Sequence, residues 1–205
     1  MSTHCFEARN KCQFVKNSLP LVFLLLAACG TPPTGSLPQR PNMDSLLNRQ
    51  IELLLHHKAL LIKSARLNGT ASNTTYRPDS VQWQKEMDVF RSLSLLNKPA
   101  FLRGYHETVG KDEHSNLVRR RLTAVELLSL PQLSFYYLPP QTELKKIEAT
   151  YREKNSLYVT ERDLYLQFEN WREQPLLKSY RIRGFQKMIS SDTVEFEIEG
   201  RIDFD

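Results

Sequence analysis

A chain of 205 residues with 40% apolar and 25% charged side chains has the balance of a globular protein and is long enough to bury a substantial core. Its formal charge of +5 belongs partly to the first 28 residues, where Arg9, Lys11 and Lys16 outnumber Glu7; the remainder holds 25 basic and 22 acidic residues, too even a balance for a nucleic-acid-binding surface. All three cysteines, Cys5, Cys12 and Cys29, lie in the N-terminal segment, so the rest of the chain must hold together by packing without an internal disulfide.

The N-terminal stretch is basic up to about residue 18 and then apolar from Leu19 to Ala28. That apolar run is too short to span a bilayer as a helix, which takes about 20 residues. It closes on Leu26-Ala27-Ala28-Cys29, which resembles the lipobox of a bacterial lipoprotein signal peptide. The resemblance implies that a diacylglyceryl group is attached to the Cys29 thiol, that the chain is cut before Cys29, and that the new amino terminus is acylated with a palmitate-type chain. Two acyl chains anchor stably where one is marginal. Residues 1–28 are then the signal peptide, 29–42 a Pro-rich tether, and 43–205 a single domain. The tether carries Pro32, Pro33, Pro38 and Pro41, and at roughly 3.1 Å per residue it reaches up to ~40 Å from the membrane. Gly30 after the cysteine resembles outer-membrane lipoproteins of enteric bacteria, so the expected location is the outer membrane, facing the periplasm.

A helix is predicted from Asp44, its cap, to Leu67, with Asn68-Gly69 as a left-handed stop. Leu46, Leu53, Leu60 and Leu67 recur every seven residues beside Leu47, Leu54 and Leu61, which makes a broad apolar face. His56 and His57 are adjacent, about 100° apart around that helix, and do not share a ligand site. Asn68 to Asp79 reads as a polar loop. A second helix is predicted over Ser80–Leu96, opened by a capping box between Asp79 and Gln82 and stopped by Asn97-Lys98-Pro99. Trp83, Met87 and Phe90 mark its buried face.

From Ala100 the pattern alternates, and strands are predicted around Phe101–Glu107, Asn116–Leu122 and Leu133–Leu138, the last stopped by Pro139-Pro140. In the C-terminal third the apolar phase changes twice. Leu157 and Val159 are odd while Leu164, Leu166 and Phe168 are even, which predicts a bulge between Thr160 and Asp163. A second bulge is predicted at Gly184, with Ser191-Asp192 centring the last turn, Phe185 opposite Ile198 and Tyr180 opposite Ile202. The final strand alternates without interruption, with Val194, Phe196, Ile198, Gly200, Ile202 and Phe204 on one face and Glu195, Glu197 and Glu199 on the wet one.

No H-E-x-x-H, P-loop, G-x-S-x-G or dinucleotide fingerprint occurs, and seven glycines in the whole chain leave little material for a phosphate-cradling loop. His106, Glu107, Asp112, Glu113 and His114 are the best candidate metal ligands by residue type, but their spacing matches no known site; the reading is therefore of no metal and no cofactor. Arg119-Arg120-Arg121 alternate across a strand and so do not form one patch. Trp171, in a predicted turn, and Tyr105 and His106, at the first hairpin, are the candidate binding residues. Cys29 is the lipidation site, and no catalytic residue is assigned.

These elements predict an α+β fold: two N-terminal helices packed on a curved, mainly antiparallel sheet of six or seven strands that ends in a meander. The element order resembles the cone-shaped nuclear-transport-factor-2-like superfamily, and a half-barrel over helices would be similar to some lipoprotein carriers. The expected role is a lipid-anchored, non-enzymatic binding or assembly module of the cell envelope. It would meet the membrane through its N-terminal lipid and a protein partner or an apolar ligand through its domain. The rival expectation is a small envelope enzyme or carrier with Tyr105, His106 or Glu107 lining a pocket between helices and sheet.

Overall fold

The structure is a computed structural model that describes residues 40–140 and 143–204; the signal segment, Cys29 and most of the tether lie outside the described residues. Helix α1 spans Met43–His56, followed by strands β1, Leu60–Leu67, and β2, Thr70–Tyr76. Helix α2, Ser80–Asp88, continues as a 3-10 helix over Val89–Asn97 and then a single turn, α3, Pro99–Leu102. Seven strands complete the chain: β3, Tyr105–Lys111; β4, Val118–Ala124; β5, Gln132–Leu138; β6, Glu143–Lys154; β7, Tyr158–Trp171; β8, Gln174–Met188; and β9, Val194–Asp203. All nine strands form one antiparallel sheet in the order β2-β1-β9-β8-β7-β6-β5-β4-β3. The fold is α+β and dominated by its sheet. The expectation of two leading helices on six or seven strands is overturned, because a hairpin separates α1 from α2. That interruption also departs from the helices-first order that suggested the cone-shaped superfamily.

The first predicted helix ends eleven residues early, at a motif with no glycine in it. Lys58 takes a left-handed conformation (φ 47°), its N–H donates to Leu55 O, and the Ala59 N–H donates to Leu54 O. These are the two bonds of a Schellman stop, and the buried Leu54 and Ala59 supply its apolar contact. The N-cap is Asn42, whose side chain accepts from the Ser45 N–H at 3.0 Å, and Asp44 lies in the first turn. Beyond Ala59 the leucine repeat is read by a sheet. Leu61, Lys63, Ala65 and Leu67 alternate on β1, which pairs with β2 on one side and β9 on the other. Asn68 (φ 46°) and Gly69 (φ 86°) are left-handed as expected, but they form the two-residue turn of the β1–β2 hairpin. The polar stretch from Thr70 is therefore strand β2, not a loop.

α2 opens on the predicted capping box: Asp79 accepts from the Gln82 N–H at 2.8 Å and Gln82 accepts from the Asp79 N–H at 2.9 Å. Trp83, Met87, Phe90 and Leu93 are each fully buried. With Leu47, Leu54 and Met43 of α1 they fill the space over Leu61, Ile202, Tyr180, Leu164 and Phe135 of the sheet. Pro99 starts a helical turn, so β3 begins only at Tyr105.

Neither predicted bulge forms. β7 pairs continuously with β6 from Gln167 to Val159, and β8 with β9 from Ser179 to Gln186, so the ladder runs regularly through Gly184. Tyr180 faces Gly200 and Ile182 faces Ile198, two residues away from the expected register. The reason is at the turn: the Ile189 N–H donates to Leu157 O of the neighbouring hairpin, so β8 stays with β7 where β9 was expected. Leu157 and Ile189 remain exposed, and Thr160 takes the buried position, its hydroxyl donating to Phe185 O at 2.9 Å. Gly184 instead allows a close approach, since a Cβ there would lie 2.0 Å from Glu161 O. The irregularities that do occur lie at Tyr136/Tyr137 between β5 and β6 and at Gln167/Phe168 between β7 and β8. At the second, the buried Gln50 of α1 accepts from the Leu177 N–H at 2.7 Å and donates to Pro175 O at 2.8 Å. One helix side chain thus satisfies two β8 backbone groups that point away from β7, beyond the end of the β8–β9 ladder at Ser179.

Candidate functional site

The helices cover one face of the sheet, and the other is open. Register places Arg66, Glu197, Arg183 and Asp163 in one row across β1, β9, β8 and β7 of the open face. A second row runs Glu199, Arg181, Tyr165, Glu148, Ser134 and Arg121. Opposite charges alternate along these rows, with ion pairs at Arg66–Glu197 (3.4 Å) and Arg181–Glu199 (3.8 Å), and Glu148 also pairs with Lys146 of the next row (2.9 Å). A groove of about 440 Å³ lies along the first row between Arg66, Asp163, Arg183 and Glu197. A smaller one of about 240 Å³, between Gln132, Glu148, Tyr165 and Arg181, shares Asp163 with it. A third, of about 510 Å³, lies by the β4–β5 loop and shares Gln132 and Thr150 with the second. The first two form a polar track across the open face, and the third, lined by Ala124, Val125, Leu127 and Pro131, is more apolar.

The track passes a pair of unmet hydrogen-bonding groups. Arg121 on β4 and Ser134 on β5 are cross-strand partners, and Arg121 Nε and Ser134 Oγ are both buried without a hydrogen bond among the described residues. Beside them Tyr136 donates to Glu148 at 2.6 Å, and the Lys146 ammonium lies 3.9 Å from the centre of the Tyr136 ring. Burial first, and then the Glu148 carboxylate, push the Tyr136 phenol up to about 12. At the top of the same strands Asp112 accepts from Ser115 at 2.7 Å, which holds its carboxyl below the usual range despite partial desolvation, with Lys146 and Arg119 adding to the effect.

A second polar cluster lies on the covered side. Glu86 of α2 accepts from Lys63 at 2.7 and 2.9 Å, from the Tyr180 hydroxyl at 2.5 Å and from the Tyr76 hydroxyl at 3.1 Å. Burial and the Glu86 charge raise both phenols, Tyr76 to about 12. The cluster joins α2 to β1, β2 and β8. It is a clasp between helix and sheet, with its acceptor fully engaged. A carboxylate one helical turn from Trp83 on the apolar side was its sequence signal.

The sequence-predicted residues do not converge. Tyr105 starts β3 and donates to Leu130 O at 2.7 Å, its phenol raised by burial. His106 follows on the open side, exposed and opposite Thr123. Trp171 ends β7 at the other end of the strands, 41% exposed, edge-on to His57 at 5.4 Å. His57 also meets Phe204, while His56 is exposed. Glu107 is held between Arg120 (2.9 Å) and Arg40 (3.2 Å), the first described residue of the tether. Of the five candidate metal ligands, Glu107 and Asp112 are engaged by arginines, and among the described residues no group of three or more His, Cys, Asp or Glu side chains is arranged to hold an ion. Arg119 and Arg121 project to the open face and Arg120 to the covered one, as the strand alternation requires. Cys29 lies outside the described residues, and among those described no helix is long and apolar enough to cross a membrane. Compared with known proteins, the chain matches no family model, no curated protein and no solved structure.

Proposed function

We propose that this chain is a lipid-anchored binding or assembly protein of the cell envelope, held at the outer membrane through Cys29 and presenting the open sheet face to a protein partner. The observation that carries the reading is the contrast between a filled interior and a grooved exterior. An apolar-ligand carrier, as a half-barrel over helices suggests, needs space between helix and sheet. Here that space is taken by Trp83, Met87, Phe90 and Leu93, all fully buried. On the covered side a pocket of about 200 Å³ lies between Met43, Leu96, Leu102, Leu122 and Phe135, below the roughly 300 Å³ at which ligand pockets begin. The larger grooves lie on the open face, and the mixed charge of those along the Arg183 and Arg181 rows suits the polar side chains and backbone of a protein more than a lipid or a hydrocarbon.

The two halves of the proposal separate experimentally. Cys29→Ser should release the protein from the membrane fraction, and globomycin, which blocks the lipoprotein signal peptidase, should make a longer precursor accumulate. Unchanged size and fractionation in both would remove the anchor. For the face, Arg183→Glu in the full chain should abolish co-purification of the envelope partner seen with the unaltered chain, while circular dichroism stays the same. Co-purification that survives both Arg183→Glu and Arg121→Glu would place binding elsewhere.

A further inference from the structure

An open sheet has two edges, and this protein treats them differently. At one edge β3 carries His106, Glu107 and Lys111, with Glu107 tied to Arg40 and Arg120. Charged side chains at an edge discourage pairing with another chain. At the other edge β2 reads Thr70-Ala71-Ser72-Asn73-Thr74-Thr75-Tyr76, with no charge, no proline and an unbroken register to β1. Six of its seven residues are exposed, and among the described residues it pairs with β1 alone.

The hairpin fixes which backbone groups are free. A two-residue turn makes Leu67 and Thr70 a hydrogen-bonded pair. By alternation Ser72, Thr74 and Tyr76 also bond inward to β1, so the N–H and C=O groups of Ala71, Asn73 and Thr75 point out from the edge.

We infer that β2 is a self-association edge, where two copies of this chain pair antiparallel about a two-fold axis at Asn73. In that register Asn73 faces Asn73 of the second copy, and Ala71 faces Thr75, so all three outward residues exchange backbone hydrogen bonds. Ser72 opposes Thr74 and Thr70 opposes Tyr76, hydroxyl-bearing pairs that favour cross-strand contact. No like charges meet. The same register brings Leu67 of one copy into the row of Leu61 and Tyr76 of the other. The inference does not depend on the lipid anchor.

The test is cross-linking and sedimentation of the detergent-extracted full chain. With Cys5, Cys12 and Cys29 replaced by serine, Asn73→Cys should cross-link to a dimer with a short bismaleimide, and Val109→Cys on the opposite edge should not. Asn73→Pro removes only outward-pointing N–H groups, so it should leave the β1–β2 hairpin intact and convert dimer to monomer, a drop of at least tenfold in dimer at tens of micromolar. Should Asn73→Pro unfold the chain, Ala71→Lys with Thr75→Lys places lysines opposite one another and should have the same effect. A monomeric unaltered chain, a dimer that survives these variants, or equal cross-linking at Val109→Cys would each overturn the inference.

Discussion

On the covered side of the nine strands, Leu133, Ala149, Leu164 and Ile182 stand in one row beneath Trp83 and Phe90. On the open side of the same strands, the neighbouring row reads Arg121, Ser134, Glu148, Tyr165 and Arg181. The first row gains its energy from removing apolar area from water, about 25 cal/mol per Å². The second gains little, since exposed ion pairs contribute about 0–1 kcal/mol each. One backbone thus supports a face that determines stability and a face that evolution can vary at small cost to the fold. On the covered face Gln50 and Glu86 are engaged, whereas Trp83 Nε1 and the Tyr137 hydroxyl, like Arg121 Nε and Ser134 Oγ on the open face, are buried without a hydrogen bond among the described residues.

The sharpest break of that contrast is in the core. Trp83→Ala should cost ~3–5 kcal/mol in urea denaturation, and Tyr165→Ala on the open face well under half of that. Similar costs would mean that the open face is packed in solution, against a partner or a second copy. The next effect is alkaline. Tyr76 and Tyr180 are held protonated in the folded chain above the ordinary phenol value, so their contribution is complete below about pH 10 and is lost as the pH rises from there toward 12. Unfolding monitored between pH 9 and 12 should show that loss, and Tyr76→Phe should blunt it. The smallest effect concerns two hydroxyls. Thr160→Val removes a made hydrogen bond and should cost about 1 kcal/mol, whereas Ser134→Ala removes an unmet one and should be neutral or slightly stabilising. A cost at Ser134 equal to that at Thr160 would mean that water or a ligand satisfies it.

Much of the fold was legible where local chemistry and tertiary packing agree. Asp79 and Gln82 announced α2 because both halves of a capping box are written in sequence, and Trp83, Met87 and Phe90 named its buried face. The alternation from Val194 to Ile202 gave β9 and its inward side correctly. What failed was decided at a distance. The stop after His56 relies on Lys58 in a conformation that sequence assigns to glycine, so the seven-residue leucine repeat appeared to continue. Within it, Leu61, Lys63 and Ala65 also alternate by two, and only the presence of β2 and β9 on either side selects that reading. The bulge expected at Gly184 rested on treating Ile189 as part of a ladder with β9, whereas its N–H is spent on Leu157. Of the candidate site, Trp171, Tyr105 and His106 were visible as residue types but lie apart, at opposite ends of the strands. Arg121 and Ser134 became partners only through the β4–β5 register, which no periodicity reports.

The junction between β1 and β9 has a kinetic consequence. Every other neighbouring pair in the sheet is joined by a hairpin or short loop, but Leu60 meets Asp203 across about 140 residues, and closing such a long loop is slow. The β1–β2 hairpin emerges early in synthesis, yet its inner edge stays open until β9, Val194–Asp203, arrives. During that interval β1 exposes an unpaired, largely apolar edge that invites pairing with other nascent chains. Losing the C-terminal strand would leave that edge permanently open, so truncation before Val194 should yield aggregation in place of a smaller folded domain.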